Sequence, residues 1–367
     1  ISTDTRTISK DNLFVALKGI HYDAHNFVQD AFAKGAAGAI IAYEPNHFLA
    51  SHPLLYVQNT LNALTDIAAC YRREIGAKVI AITGSLGKTT VKEMVADIFS
   101  TQLPTARTVA NWNNKIGVPL SMLKMMPSTS VGVFEVGTNR PGELMPLCRK
   151  LAPDCGIITT IAPVHLEFFE SVKAIVMEKA ELLKCLPADG TAILKKDDYY
   201  NMLRLMCPCK VCSIALNGEA DYSCVDESLS AGNITVLERS TGDHFAFKPP
   251  LPGRHMLTNA LFAVATARTH GISWDVIRHP LEQYKTLPMR WESIYFKGVL
   301  IVNDAYNANP VSMDAALQTF GKINVSGKKW LVLAGMHELG KAETRAHINL
   351  GRRIAADKFA GLITVGS

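Results

Sequence analysis

The sequence predicts an α/β protein whose largest unit carries a mainly parallel sheet flanked by helices, with a phosphate-binding loop at its centre. Three observations carry that expectation. An apolar run from Val79 to Ile82 leads into Thr83-Gly-Ser-Leu-Gly-Lys-Thr-Thr90, and an amphipathic helical pattern follows at once. From about 76 to 287, short apolar runs alternate with helical patterns, the spacing of βαβ units. Clusters of polar residues stand just past several of the apolar runs, which in open α/β sheets is where ligands bind.

The elements read off in order. Residues 1–75 form a small α/β unit: Leu13-Phe-Val-Ala-Leu17 is a strand, Phe27 to Lys34 a helix stopped at Gly35, Ala39-Ile-Ile-Ala42 and Leu54-Leu-Tyr-Val57 two more strands, and Thr60 to about Arg73 a helix. In the second unit, 76–287, Ser130-Val-Gly-Val-Phe-Glu-Val136, Cys155-Gly-Ile-Ile-Thr-Thr-Ile161 and Thr191-Ala-Ile-Leu194 are strands. The more polar stretch from about 209 to 249 is expected to form an antiparallel excursion off the main sheet. Residues 256–269 read as an Ala-rich buried helix. A third unit, 288–367, has strands at Gly298-Val-Leu-Ile-Val-Asn303, Lys329-Trp-Leu-Val-Leu333 and Ala360-Gly-Leu-Ile-Thr-Val365. The sequence stops right after the last of these. Parallel sheets are covered on both faces, so the third unit is expected to be incomplete. The first residue is Ile1 rather than Met, and a trimmed start is expected as well.

The loop is the shortened form Gly84-Ser-Leu-Gly87-Lys88-Thr89. The longer pattern would put a glycine where this chain has Ile82. Backbone N–H groups and the positive helix end meet anionic phosphates, Lys88 neutralises them, and the Thr89 hydroxyl can ligate Mg²⁺. Val91, Met94, Val95, Ile98 and Phe99 fall on one helical face. A bare glycine turn would need neither the strand before it nor the helix after it, so phosphate binding is the reading that accounts for all three parts.

A chain of 367 residues with 48% hydrophobic and 19% charged content fits a globular protein of two or three domains with ample core. No apolar run reaches 18 residues and no secretory signal is present, so neither a transmembrane helix nor export is expected. The net charge of +5 suits an anionic substrate, and without a dense Lys/Arg stripe it gives no footprint for nucleic acid. Eight scattered cysteines fit a reducing cytoplasm better than a disulfide scaffold. Cys207, Cys209, Cys212 and Cys224 could hold zinc, but they lack two clean Cys-x-x-Cys knuckles and free thiols are expected.

Further candidates for chemistry are individually weak. Glu135 ends an apolar strand, where a carboxylate can help hold Mg²⁺, although a surface glutamate is an equal reading. His165 follows a strand and could bind metal or polarise a phosphate, but a lone histidine is more often structural. Lys179, on a helical pattern, would by itself be a solvated charge. Asn111-Trp-Asn-Asn-Lys-Ile-Gly-Val-Pro119 and Asp304-Ala-Tyr-Asn-Ala-Asn-Pro310 are polar clusters at turn or strand ends.

In order and spacing, these segments together with Ser2-Thr-Asp-Thr-Arg6, Glu135-Val-Gly-Thr-Asn-Arg-Pro-Gly-Glu143, His165-Leu-Glu-Phe-Phe169, Lys179-Ala-Glu181, Pro252-Gly-Arg-His-Met-Leu-Thr-Asn-Ala260 and Met336-His-Glu-Leu-Gly340 resemble the Mur ligases of bacterial cell-wall synthesis over nearly the whole chain. The Tyr-Asn-Ala-Asn-Pro element points to the branch that adds D-alanyl-D-alanine to UDP-N-acetylmuramoyl-tripeptide.

The resemblance implies three domains: a UDP-sugar-peptide domain, a central P-loop ATPase domain and a Rossmann-like C-terminal domain. It implies catalytic roles for Lys88, His165, Lys179 and Asp304. It implies ATP contacts from Thr83, Gly84, Ser85, Gly87, Lys88, Thr89, Thr90, Asn259 and Arg290, with Asn259 on adenine and Arg290 with Asp304 as an inter-domain pair. Mg²⁺, as a pair of ions, would be held by Thr89, Glu135, His165 and a CO₂-derived carbamate on Lys179. Asp4, Thr5 and Arg6 would face the uridine nucleotide, and Asn114, Tyr306, Asn307 and Asn309 the substrates. A cytoplasmic monomer is expected.

The chain departs from the family pattern at Met256, where Asn is usual, and at Met289, where Gly is common. It also has Asn303-Asp-Ala-Tyr306 for Asp-Asp-Ser-Tyr, and Ala334-Gly-Met336 for Gly-Asp-Met. Folylpolyglutamate synthases and cyanophycin-type ligases share the loop and the lysine, but generally lack the first domain. A silent nucleotide-binding relative is disfavoured by intact Lys88, Glu135, His165, Lys179 and Asp304, and a GTPase or kinase by the lack of an Asn-Lys-x-Asp element.

Overall fold

The computed structural model describes residues 1–44, 52–226, 233–249 and 251–366. The chain begins with β1 (Leu13–Val15), a 3₁₀ turn over Ala24–Phe27, α1 (Val28–Ala33), β2 (Gly38–Ile41) and β3 (Leu54–Tyr56). The three strands make a small parallel sheet in sequence order. Phe14, Ala16, Val28, Phe32 and Ile41 fill one side of it.

Helix α2 (Thr60–Ile75) starts at Asn59, whose side chain accepts from the Asn62 N–H, and stops at Gly76 in the left-handed conformation. One of its faces carries Leu64 against Val15 and Ile40. Another carries Ala68, with Tyr71 and Ile75, into the core of the next unit. The Tyr71 hydroxyl donates to the Met125 carbonyl at 2.7 Å, and Arg72 Nε donates to the Leu151 carbonyl at 3.0 Å. The helix that closes the first sheet is therefore also the strut that joins it to the second.

The second sheet is built from β4 (Lys78–Thr83), α3 (Lys88–Ser100), β5 (Thr105–Arg107), α4 (Gly117–Met122), β6 (Val131–Glu135), α5 (Leu144–Leu151), β7 (Cys155–Ile158), α6 (Val172–Lys184), β8 (Thr191–Lys195), α7 (Tyr200–Leu205), β9 (Lys210–Ala215), β10 (Tyr222–Asp226), β11 (Ile234–Glu238) and β12 (Asp243–Phe247). Among the described residues nine strands run in the order β12-β11-β10-β9-β8-β7-β4-β6-β5. Pairing is parallel from β5 across to β10. Strands β4, β6 and β7 are buried throughout apart from Lys78, as continuous apolar runs in a covered parallel sheet should be.

The polar stretch from about 209 to 249 meets expectation in part, since β11 pairs antiparallel with both β10 and β12. It is no excursion: β9 and β10 extend the main sheet in parallel, and only β11 runs against its two neighbours. β11 shows the buried-intermediate alternation of a strand with one covered face.

Two helices complete this unit, α8 (Arg254–Thr269) and α9 (Trp274–Glu282). From Met256 to Ala267 every residue of α8 is buried, so it is an interior helix. It packs with the apolar face of α3, where Val91, Met94, Val95, Ile98 and Phe99 are all buried as the periodicity predicts.

The last unit holds β13 (Glu292–Phe296), β14 (Val299–Asn303), α10 (Pro310–Lys322), β15 (Trp330–Ala334), α11 (Glu343–Ala356) and β16 (Gly361–Val365). Strands β15 and β16 pair in parallel. Strand β14 pairs with neither: it forms an antiparallel hairpin with β13, an element the sequence reading missed. The hairpin turns through Lys297 and Gly298, both at positive φ, the geometry of a type I′ turn.

Met289 is at φ +60°, left-handed backbone that favours glycine, which gives a physical reason for the glycine common there in the family. Cys207 and Cys209 bring their sulfurs to 3.5 Å. Among the described residues no helix is long and apolar enough to cross a membrane.

Candidate active site

Strand β4 has β6 on one side and β7 on the other, and the chain reverses its direction of travel across the sheet there. Such a switch point opens a crevice at the carboxyl ends of the strands. Thr83, Glu135 and Thr159 stand at those ends, and the loop Gly84–Gly87 lies across them. Gly84 is at φ +144°, and a Cβ on it would sit 2.0 Å from Thr159 Oγ1. Gly87 is at φ +84°, and its Cβ would sit 2.4 Å from Asn259 Oδ1 of α8. Ser85 and Leu86 donate their backbone N–H groups to the Thr160 carbonyl, and the Thr159 hydroxyl donates to the Leu86 carbonyl at 2.6 Å. The loop is pinned to β7 from below and closed by α8 from the side.

Lys88 opens α3 and bends back, its ammonium donating to the carbonyls of Gly84 at 3.0 Å and Ser85 at 3.2 Å. Loss of hydration holds its pKa below the ordinary lysine value. Glu135 opposes this and Arg290 adds to it. Thr89 is buried and accepts at long range, 3.5 Å, from Arg290 Nη2. Thr90 shares a hydrogen bond with Tyr284, whose burial raises its hydroxyl to about 12. The phosphate-loop residues therefore gather as the sequence predicts.

Glu135 is 1% exposed. Its Oε1 accepts from Asn113 Nδ2 at 2.7 Å, while Oε2 is buried without a hydrogen-bond partner. An orphaned carboxylate oxygen in a dry crevice is costly unless a cation meets it, so the residues present fit a Mg²⁺ ion. Among the described residues no three His, Cys, Asp or Glu side chains gather as a ready-made cage. That suits Mg²⁺, which commonly takes one or two carboxylates together with substrate phosphates and water. Lys179, on α6, is 2% exposed, and burial first and then Lys88 bring its amine down to about 7. Lys88, Glu135 and Lys179 thus sense one another across the crevice.

The third unit reaches the same place. The Arg290 guanidinium lies 3.7 Å over the Tyr306 ring, and the Tyr306 hydroxyl accepts from Asn111 Nδ2 at 3.0 Å. Asp304 accepts from the Trp291 N–H at 3.1 Å, with no direct ion pair to Arg290 among the described residues. Arg290 and Asp304 both belong to this unit: burial raises the Asp304 carboxyl and Arg290 pulls it down, while the Arg290 guanidinium also reaches Thr89 of the central unit. His165 pairs with Glu338 of the loop after β15.

Other sites expected from the resemblance sit differently. The Asn114 side chain accepts from the N–H groups of Ile116 and Gly117, so it begins α4, and its neighbour Asn113 is the amide that touches Glu135. Asn309 is buried as the N-cap of α10 in a capping box with Ser312. Asn307 accepts from the Ala308 N–H. Asp4 and Arg6 pair with each other on the first unit, holding the Asp4 carboxyl down at about 2, and the Thr5 carbonyl accepts from Lys34.

Sequence reasoning missed Lys92. It is fully buried on α3, its ammonium donating to the carbonyls of Thr108 at 2.9 Å and Ala110 at 3.2 Å and pairing with Glu93 at 2.6 Å. It holds the start of the loop that carries Asn111 and Asn113. The available signal was a lysine between apolar residues of the helix face.

A P-loop crevice facing a second α/β unit that supplies Arg290 and Tyr306 defines a nucleotide-dependent ligase, and the chain belongs to the Mur ligase family. Residues 82–267 match the Mur ligase middle domain, and residues 289–367 the Mur ligase glutamate ligase domain. Among individual relatives, the chain is 35% identical to UDP-N-acetylmuramoyl-tripeptide--D-alanyl-D-alanine ligase of Bacillus subtilis, over all of this chain and 79% of that protein. The crystal structure of MurF from Acinetobacter baumannii superposes with a TM-score of 0.92 at 32% identity, over all of this chain and 80% of that one. MurF ligase from Thermotoga maritima in complex with ADP superposes at 0.85 with 26% identity, covering 99% of this chain and 83% of that one.

The contact at Gly87 predicts the outcome of Gly87→Ala. Left-handed backbone costs an alanine about 1–2 kcal/mol, and the new methyl must push Asn259 or α8 aside. Urea unfolding should show that loss of stability, and titration with ATP should show nucleotide binding weakened at least tenfold.

Proposed function

We propose that this chain joins D-alanyl-D-alanine to UDP-N-acetylmuramoyl-tripeptide at the expense of ATP, forming ADP, in the synthesis of the peptidoglycan precursor. The observation that carries the reading is the crevice itself. A glycine cradle, Lys88 beneath it and a buried Glu135 with one oxygen unmatched face a unit that contributes Arg290 and Tyr306. In this reading residues 1–75 take the nucleotide sugar, 76–287 ATP, and 288–367 the amine. Eight cysteines scattered through a chain of this length support a cytoplasmic setting, and the enzyme is read as a monomer.

A carboxylate is a poor acyl donor because its leaving group would be oxide. The tripeptide carboxylate attacks the γ-phosphorus of ATP, the bond to the β-phosphate oxygen breaks, and an acyl phosphate and ADP result. The amine of D-alanyl-D-alanine then attacks the acyl carbon. The tetrahedral intermediate expels phosphate, the nitrogen loses its proton, and the amide remains. One difficult step becomes two easier ones.

The chain's residues bind, orient and shield. Loop N–H groups and Lys88 take the phosphates, and Lys88 exchanges its loop carbonyls for phosphoryl oxygens. Arg290, held flat on Tyr306, adds positive charge beside Thr89. Asn259 closes the loop where the resemblance puts adenine. Asp4, Thr5 and Arg6 are proposed for the uridine nucleotide. Tyr306 and Asn307 are proposed for the amine side, where Asn309 acts by setting the start of α10. Thr89, Glu135 and His165 would hold Mg²⁺, which when bound offsets phosphate charge and polarises the phosphoryl oxygens.

Lys179 is proposed to carry a carbamate. Its neutral amine attacks CO₂, a proton leaves to water, and a negative charge replaces a positive one beside Glu135. The depressed pKa supports this, because only the neutral amine is nucleophilic.

Incubating full-length protein with Mg-ATP, UDP-N-acetylmuramoyl-tripeptide and a panel of amines tests the reading by mass spectrometry. Product is expected with D-alanyl-D-alanine and not with D-glutamate, L-lysine, diaminopimelate or L-glutamate; product with another amine alone moves the assignment within the family. Lys88→Ala should lower turnover on the order of 10²-fold or more, since it removes charge aimed at the transferring phosphoryl group. With ¹³CO₂, a carbamate resonance should grow as pH rises through about 7 and be missing from Lys179→Arg. Its absence from the unaltered protein would remove the carbamate from the mechanism.

A further inference from the structure

Glu338 has no part in the chemistry above, yet it makes a second contact between the third unit and the central unit, apart from that of Arg290 and Tyr306. It lies in the loop Gly335–Leu339 after β15, and its carboxylate pairs with Nδ1 of His165. Two further contacts accompany that pair. The Glu338 carbonyl accepts from the Glu167 N–H at 3.2 Å. Gly340 comes so close to Glu167 that a Cβ on it would sit 3.3 Å from the Glu167 Cα. From behind, the loop is braced by His347, whose Nε2 accepts from the Met336 N–H at 3.0 Å and whose Nδ1 donates to the Glu343 carbonyl at 2.9 Å. Leu339 is buried beside it.

His165 and Glu338 are themselves at positive φ, +54° and +60°. Side-chain-bearing residues adopt that backbone where the surroundings hold them. An incidental surface ion pair would require neither the strained backbone on both partners nor the flanking backbone contacts. The Glu338 side chain is 42% exposed and that of His165 20% exposed, so the ring is the more buried member of the pair.

We propose that Glu338 is the positioning residue for His165. By taking the Nδ1–H it fixes the imidazole tautomer and the ring plane, leaving the Nε2 lone pair as the nitrogen offered to Mg²⁺. Metal-binding histidines are commonly oriented this way by a carboxylate on the other ring nitrogen. Here the carboxylate comes from a different unit of the chain. The metal site is therefore completed only when the third unit is docked, and docking of the amine-bearing unit is coupled to readiness of the phosphoryl-transfer site. This rests on the reading of His165 as a metal ligand.

The test uses Mn²⁺ as the probe, with free ion followed by electron paramagnetic resonance on the whole chain saturated with ADP. Glu338→Gln should weaken Mn²⁺ binding about 10- to 100-fold while leaving ADP affinity without metal and the melting temperature unchanged. His165→Ala should weaken it similarly, and the double variant should be no weaker than His165→Ala alone, because the two residues act as one unit. If His165→Ala leaves Mn²⁺ affinity intact, the metal-ligand reading fails. If His165→Ala weakens binding and Glu338→Gln does not, or if the two losses add in the double variant, the ligand reading stands and the positioning role of Glu338 is overturned.

Discussion

The structure turns on a close approach that leaves no room for side chains. The backbone of Gly84–Gly87 is pressed between the end of β7 and the flank of α8, against Thr159 on one side and Asn259 on the other. That contact ties three separate parts of the chain to one point: the central strand, the strand across the switch point and the interior helix. It also orients the loop. With Ser85 and Leu86 tied to Thr160, and the carbonyls of Gly84 and Ser85 meeting Lys88, the segment has one conformation before any phosphate arrives. A preorganised cradle spends less of its binding energy on ordering itself.

Around that point the charges are arranged for a polyanion. Lys88 and Lys179 both feel the buried Glu135, Lys179 feels the buried Glu178 as well, and Arg290 lies near Lys88, in a region where burial already depresses both lysines. Cations gathered in a dry site repel one another, and each gains when phosphate charge enters. Glu135 is held by Asn113, whose loop is held in turn by the buried Lys92. The position of Glu135 is thus set two contacts away, on the same helix that Lys88 begins.

The third unit approaches the crevice at two separated places. Arg290 and Tyr306 meet Thr89 and Asn111, and Glu338 meets His165. Two contacts fix an orientation where one would allow rocking. The first unit is joined differently, through α2, whose two faces belong to two cores. A helix shared in this way transmits position rigidly, whereas side-chain contacts at a rim can open and close.

Much of the fold and of the phosphate site was legible in the sequence because it is local. The strand–loop–helix at 78–100 announces itself by an apolar run, two glycines and a period of 3.6. The parallel sheet follows from the alternation of such units, and the chemistry of Lys88 and Thr89 follows from their types at those offsets. Other features depend on what lies opposite. Periodicity shows that a residue faces inward, not what it meets, so Lys92 passed unnoticed although it is the buried clamp on the Thr108 and Ala110 carbonyls. Asn113 and Asn114 are chemically equal in the sequence, and only the register of the turn sends the first to Glu135 and the second to the N–H groups of Ile116 and Gly117. Asn309 read as a ligand residue because cap and ligand use the same amide. The extension of the main sheet through β9 and β10, the hairpin partner β13 and the pairing of His165 with Glu338 join residues whose proximity no local pattern encodes. Local preference acts over a few bonds, so the sequence alone determined the elements and the chemical character of the crevice. Which strands pair, which amide meets which carboxylate and which carboxylate meets the histidine were decided by packing, since those choices depend on surfaces that become neighbours only after the chain has folded.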